Sequence, residues 1–418
     1  MRVARRTTAT VLSRRIGMLA LGLLALGACA PTVSSPPLAT QRPPPPIAEV
    51  PPPAAPADPR TRVAVLLPRS GQGGPIGTAL LDAAQLAVFD TADQDFVLLS
   101  RDTRGTPTGA VEAMRAAIDG GARLVVGPLF AAEVQAAAGI ARSAGVPVIA
   151  LSSDRAVARD GVWVFGFTAG EQVARVAGHA IAQGARRIAL IAPSGAYGDQ
   201  VEAALRATLD RAGGTLVRTG RLEGTGAPEV RAGIARVLDR PAILGPGGDM
   251  SIRQGLAEPD FDALMIADGG PRLREIAGQL ASLGLQPGRV RILGTGLWDE
   301  PGLGREALLA GGWYAAPDPA ARQEFESRYA AVYGRRPPRI GTIAFDAVQL
   351  AAVLARGPVP IGLVPETIMG PDGFAGVDGI FRFRPGGEVD RGLAVIEVTP
   401  EGTSVADPAP QSFAPRLF

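Results

Sequence analysis

The chain has 418 residues, 46% of them hydrophobic, enough for two ordinary domains of one shared architecture. Its formal charge of +2 depends on Arg2, Arg5, Arg6, Arg14 and Arg15; residues 29–418 carry 37 basic against 40 acidic groups, which excludes a basic footprint for nucleic acid. All 42 basic residues are arginine and His179 is the single histidine, so lysine-dependent chemistry is excluded and histidine triads or multi-histidine metal sites have little to work with.

From the amino terminus, residues 1–15 are rich in arginine and Ile16 to Gly27 are apolar. This run is shorter than the roughly 20 residues of a membrane-spanning helix, so it reads as the hydrophobic region of a signal peptide. The following LGAC, Leu26 to Cys29, resembles the lipobox of bacterial lipoproteins. That resemblance implies removal of residues 1–28 and a lipid on the sulfur of Cys29. Ala30 and Pro31 after the cysteine, with no aspartate, resemble the signal that sorts lipoproteins of enteric bacteria to the outer membrane. Residues 29–59 form a proline-rich tether, PTVSSPPLATQRPPPPIAEVPPPAAPADP after the first two positions. Proline lacks an amide donor and fixes φ, so the tether stays extended and reaches up to roughly 90 Å.

From Thr61 onward, apolar runs of strand length alternate with Ala-rich helical stretches: RVAVLL, FVLLS, RLVVG and VPVIALS, with helices to Phe89, around VEAMRAAI and over AAEVQAAAGIARSAG. Continuous apolar strands of this kind predict a parallel sheet covered on both faces. After VWVFGF the alternation restarts with a helix from Gly170 to Gln183, then RRIALIAP, a helix from Tyr197 to Ala212, TLVRTG, a helix near VRAGIARVL, AILGP, ALMIAD, a helix from Pro271 to Gly284, and VRILGTG. Residues 319–355 read as two amphipathic helices, and FRFRPGGEVDRGLAVIEVTP as two strands about Gly386 and Gly387. The expected fold is therefore α/β, with two doubly wound parallel-sheet lobes and several crossings between them. Lobe 1 takes about 60–167 plus part of 295–355, and lobe 2 about 168–294 plus the C-terminal strands. A cleft between such lobes is the default ligand site, because ligands sit at the carboxyl ends of the strands.

PRSGQGGPIG, residues 68–77, joins the first strand to the first helix. Gly71, Gly73 and Gly77 have a G-x-G-x-x-x-G spacing, a variant of the dinucleotide fingerprint. However, Pro68, Arg69 and Ser70 separate the glycines from the strand, and Pro75 removes an amide from any phosphate cradle. Ser70, Gly71, Gln72 and Gly73 are expected instead to bring a hydroxyl and bare backbone to the cleft. Asp268, at a strand end, either enters the cleft or caps the next helix. Tyr197 stacks on a ligand or closes its turn, and Trp298 lines a lobe interface or partner site. Trp163, between Val162 and Val164, reads as core, as does a lone structural His179. Arg335 and Arg336 form a small basic patch. No stretch gathers a nucleophile, a base and an oxyanion hole, so a non-enzyme without metal or cofactor is expected.

RVAVLLPRSGQGGPIGTALLDAAQLAV, RLVVGPLFAAEVQAAAGIARSAGVPVIALSSD and RRIALIAPSGAYGDQVEAAL, in this order, resemble the type 1 periplasmic binding fold, specifically its branched-chain amino-acid-binding branch, over residues 61–399. The resemblance implies ligand contacts at the turn holding Leu129 and Phe130 and at Ser152 and Ser153. Where amino-acid binders carry hydroxyl side chains, this chain has Pro128-Leu129-Phe130-Ala131-Ala132. Together with the lipobox, the tether, IADGGPRLREIAGQLASLG and ILGTGLWDEPGL, the chain resembles the penicillin-binding protein activator family. That implies an outer-membrane lipoprotein, facing the periplasm, that stimulates a bifunctional peptidoglycan synthase (a penicillin-binding protein). The alternative is a solute-binding protein of an ABC transporter for amino acids or related small molecules.

Overall fold

A computed structural model describes residues 60–224, 226–239, 259–356 and 362–413, all within the compact unit Asp58–Phe418. The signal peptide, Cys29, the tether and the strand expected at AILGP lie outside the described residues.

The first sheet has the order β2-β1-β3-β4-β5. Its strands are β1 (Thr61–Leu67), β2 (Phe96–Asp102), β3 (Leu124–Val126), β4 (Val148–Ala150) and β5 (Val162–Val164), all parallel. Helices α1 (Gly74–Thr91), α2 (Pro107–Asp119) and α3 (Ala131–Ser143) connect them. Because helices cover both faces, β1 and β3 are buried almost throughout, which is why they read as unbroken apolar runs. Helix starts follow local chemistry. The Thr106 hydroxyl accepts the Gly109 amide at 3.0 Å, with Pro107 in the first helical position, where its missing amide costs nothing.

Residues 165–168 carry the chain into the second lobe. There α4 (Ala169–Ala182), β6 (Arg187–Pro193), α5 (Ala196–Ala212), β7 (Thr215–Leu222), α6 (Ala227–Val237), β8 (Ala263–Ile266), α7 (Gly270–Ser282), β9 (Arg291–Gly294) and β10 (Trp313–Ala316) follow in turn. Residues 317–318 lead back to α8 (Pro319–Tyr333) and α9 (Gly341–Ala355), whose Phe325, Tyr329 and Ile343 share a core with Val63 and Val65 of β1. A short α10 (Pro365–Ile368) precedes β11 (Phe374–Gly376), β12 (Gly379–Phe383) and β13 (Val389–Arg391), and residues 392–393 cross again to β14 (Ala394–Thr399) and β15 (Gly402–Asp407). The second sheet has the order β15-β14-β10-β9-β8-β6-β7, parallel except that β14 runs antiparallel to its neighbours β10 and β15. The chain thus passes between lobes three times among the described residues.

The C-terminal strands do not all join the second lobe. Only β14 and β15 enter its sheet, whereas β11, β12 and β13 form a separate sheet in the order β11-β12-β13. Alternation along β12 explains the difference, because Phe381 and Phe383 point to one face and fill the first-lobe core. The Phe381 ring meets Phe165 edge-on at 4.8 Å, and Phe383 meets Trp163 at 5.8 Å. Trp163 is core, as expected, and donates its indole N–H to the Arg384 carbonyl at 2.9 Å. Phe381→Ala should lower unfolding stability by roughly 3–5 kcal/mol, read as a shifted urea midpoint with little change in the circular dichroism of the remaining helices.

Candidate functional site

The carboxyl ends of both sheets face one another across a cavity of about 660 Å³. The first lobe contributes Ile76 of α1, Leu129 and Phe130 from the β3–α3 turn, and Leu151 and Ser153 after β4. The second contributes Gln172 of α4, Tyr197 of α5, and Gly296 and Leu297 after β9; the crossings supply Phe167 and Pro317, and Arg339 and Ile340 lie just before α9. A smaller cavity of about 380 Å³ lies at the opposite, amino ends of the second-lobe strands, beside Asp262, Arg291 and Trp313. Ligands of open α/β sheets sit at carboxyl ends, so the larger cavity is the candidate site.

The structure brings together Leu129, Phe130, Ser153 and Tyr197 among the residues singled out from sequence. Tyr197 Oη lies 2.9 Å from Thr295 Oγ1, and burial pushes the phenol above its usual range against that hydrogen bond. Ser152 is buried beside the cavity, and its hydroxyl oxygen accepts the Asp154 amide at 3.1 Å.

Ser70, Gly71, Gln72 and Gly73 do not line the cavity, contrary to expectation. The Ser70 hydroxyl donates to Asp102 at 2.6 Å, and Asp102 also accepts the Arg69, Ser70 and Arg104 amides. Burial works against ionisation of this carboxyl, yet the hydroxyl and amides outweigh it and draw its pKa down to about 2. Gly71 packs on the Arg104 carbonyl and the Gln72 carbonyl on Gly105, so the turn is clamped to the loop after β2. Gly73 caps α1 at φ 82°, where an added Cβ would meet the Phe130 ring at 2.7 Å; at Gly77 it would meet the Pro68 carbonyl oxygen at 1.9 Å. These glycines serve close packing of turn on turn.

Asp268 and Trp298 also take other roles. Asp268 accepts the Gly269 amide at 2.9 Å and pairs with Arg272 at 3.1 Å, so it tethers the start of α7, and it does not line the cavity. Trp298 is fully buried in the second-lobe core, seated over Gly294, where an added Cβ would lie 2.2 Å from the indole. His179 stacks edge-on against Trp313 at 4.6 Å, with Nδ1 3.3 Å from Asp407. Arg335 pairs with Asp82 outside the cavity.

Gln172, Leu297 and Arg339 were not foreseen. Gln172 Oε1 accepts the Gly296 amide at 2.6 Å, fixing α4 to the turn after β9. Arg339 pairs with Asp299, which Arg322 also reaches at 3.0 Å, and lies 4.8 Å over the Phe167 ring. The Pro337-Pro338 pair marked this loop in the sequence, three residues from the arginines noted there.

A family model described as periplasmic binding protein matches residues 60–403. The chain belongs to that family. Its fold is similar to an ABC transporter substrate-binding protein from Sphaerobacter thermophilus, with 21% identity and a TM-score of 0.64 over 84% of this chain and 98% of the other. A leucine binding protein from Thermotoga maritima matches at 22% identity and TM-score 0.54, over 84% and 98% of the two chains. A solute binding protein of an ABC transporter from R. palustris, in complex with benzoate, matches at 17% and 0.57, over 85% and 98%. The chain matches none of the curated proteins compared with it.

The lobes of this periplasmic binding protein are joined around one guanidinium. Arg391, at the last crossing, lies 4.2 Å over Phe165 and 4.9 Å over Phe167 of the first crossing, and donates to the Phe165 carbonyl. Around it, burial pushes the Glu171 carboxyl up to about 7 against the pull of Arg391 and of the Thr168 amide and hydroxyl. Burial, and then the neighbouring Asp378 carboxyl, hold Asp346 well above the usual carboxylate range, although it accepts the Val377 amide at 2.9 Å. A carboxyl whose folded pKa exceeds its unfolded value of about 4 binds its proton more tightly in the native state. The stability involved is complete below about pH 4 and declines as pH rises toward 7. The opposite slope of Asp102 is confined to the range below its unfolded value, as pH falls toward 2. The thermal midpoint should therefore fall between pH 4.5 and about 7, and Glu171→Gln should flatten that slope in a pH series of melts while a surface control, Glu112→Gln, leaves it unchanged.

Proposed function

We propose that the chain is a non-catalytic receptor that holds a small solute between its lobes and presents it to a membrane permease, as the solute-binding component of an ABC transporter. The observation that carries this reading is the cavity at the meeting carboxyl ends of the two sheets. At about 660 Å³ it falls within the range of small-molecule sites. Polar contacts already span the two lobes beside it, since Gln200 of α5 donates to Asp154 after β4 at 3.1 Å and Arg322 of α8 reaches Asp299. The described lining includes Ser153 and Tyr197 but no histidine, aspartate or glutamate to act as their base, which supports binding without turnover. Of the three similar structures, two are described as ABC transporter components and one as a leucine binding protein, which supports the same reading.

The synthase-activator reading rested on the lipobox and tether, which lie outside the described residues, and on resemblances that no family match supports. The receptor reading therefore takes precedence, with the lipid on Cys29 proposed as its periplasm-facing anchor. A ligand at about 100 times its dissociation constant adds roughly 2.7 kcal/mol, which should raise the melting midpoint by about 5 to 10 °C for lobes of this size. In a thermal-shift screen against amino acids, amides, aromatic acids and peptidoglycan fragments, one solute class should produce that shift. Leu297→Trp, filling the cavity from a position that is 49% exposed, should abolish it and leave the unliganded midpoint in place. Silence across the screen, with retention of a bifunctional synthase on the immobilised chain, would return the activator reading to the front.

A further inference from the structure

The groups at the cavity wall are unsuited to charge on a ligand. We infer that the cleft selects an uncharged, largely apolar ligand, aryl or branched alkyl in body, and rejects free amino acids. This rests on the receptor reading above and specifies its ligand class.

An ammonium moved from water into such a cavity needs carboxylates or several acceptors around it. The lining holds no aspartate or glutamate among the described residues. The acids nearest the lining segments are engaged elsewhere. Asp154 accepts from Gln200 and the Ala156 amide, Asp268 pairs with Arg272, and Asp299 is shared by Arg322 and Arg339.

A carboxylate fares no better. Helix N-termini attract anions through free amides and the helix dipole, but α3, α4 and α5 begin at the cavity wall with Glu133, Glu171 and Asp199 in their first turns. Glu133 is buried, and its Oε2 accepts the Phe130 amide at 3.1 Å. The Phe130 amide at the first-lobe wall is thus already spent on the protein's own carboxyl. Glu171 takes the Thr168 amide at 3.4 Å in the same way. Helix α1 offers Pro75, which has no amide, in its first turn, and α9 presents the apolar Ile340 and Ile343. The lone cation of the lining among the described residues, Arg339, pairs with Asp299 and has Asp378 at 3.7 Å, while its neighbour Arg322 also binds Glu326. Two arginines among three carboxyl groups leave no surplus positive charge. What remains free to a ligand is apolar wall from Ile76, Leu129, Phe130, Leu151 and Leu297, with the hydroxyl of Ser153 and the far side of Gln172 for a few neutral hydrogen bonds.

Two sets of probes sharing a body test this by calorimetry on the purified chain: L-phenylalanine, 3-phenylpropionate and 3-phenylpropanamide, and L-leucine, 4-methylpentanoate and 4-methylpentanamide. In at least one set the amide should bind about tenfold tighter than the carboxylate and roughly 100-fold tighter than the amino acid. Leu297→Lys should bring the carboxylate level with the amide, which places the probe in this cleft. An amino acid or carboxylate that binds as tightly as its amide overturns the inference and leaves the receptor reading standing. Silence from all six probes while some charged solute of the wider screen binds overturns it equally; silence from every solute removes both readings.

Discussion

The cleft depends on a single half-buried guanidinium. Arg391 lies where the chain makes its last passage between lobes, over the rings of Phe165 and Phe167 from the first passage and bonded to the Phe165 carbonyl. A guanidinium tolerates such a place because its flat face satisfies aromatic rings while its edge still donates hydrogen bonds. Arg391 also draws down the carboxyls of Glu171 and Asp346 against the burial that raises them, since low-dielectric surroundings penalise a carboxylate unless a cation is close. Arg339 repeats the arrangement one step away, over Phe167 and against Asp299. The passages between lobes are therefore joined by charged and aromatic contacts, and the two sheets keep separate apolar cores on either side.

That division explains what the sequence revealed. Strands buried on both faces have no freedom to alternate, so RVAVLL and RIALIAP announce themselves, and the helices between them follow from length and spacing. WYAA at β10 escaped notice because a four-residue run between loops has no pattern long enough to recognise, and β15 escaped because an exposed antiparallel strand at the sheet edge carries no apolar signature. The side chosen by β12 was equally hidden. Phe381 and Phe383 establish an apolar face, but only the tertiary fold decides that the face belongs to the first lobe.

The site was harder to read for a related reason. Leu129, Phe130, Ser153 and Tyr197 sit at strand ends, and position along the topology was enough to find them. Ser70 and the glycines after it also sit at a strand end, yet their partners are the Asp102 carboxyl and the Phe130 ring, contacts made across a sequence gap of tens of residues. Trp298 follows a strand as well, but Gly294 and Gly312 leave a slot that only its indole fills. Local pattern names the ends of strands; it does not say whether a side chain there turns into the cavity or back into the lobe.

The same reasoning separates the fold from its chemistry. A two-lobed α/β frame delivers helix N-termini to the cleft whatever the sequence, and in that sense it offers anion sites by default. This chain places Glu133 on the Phe130 amide and Glu171 on the Thr168 amide, so the default is cancelled from within. A buried carboxyl at such a place is a commitment, because removing it would leave the part-buried Phe130 amide short of an acceptor. It stabilises the turn and at the same time withholds the donors that a charged ligand would need. On the inference drawn above, selectivity in this cleft arises from groups that face the protein, and a ligand meets the apolar surface left over with Ser153 and Gln172 beside it.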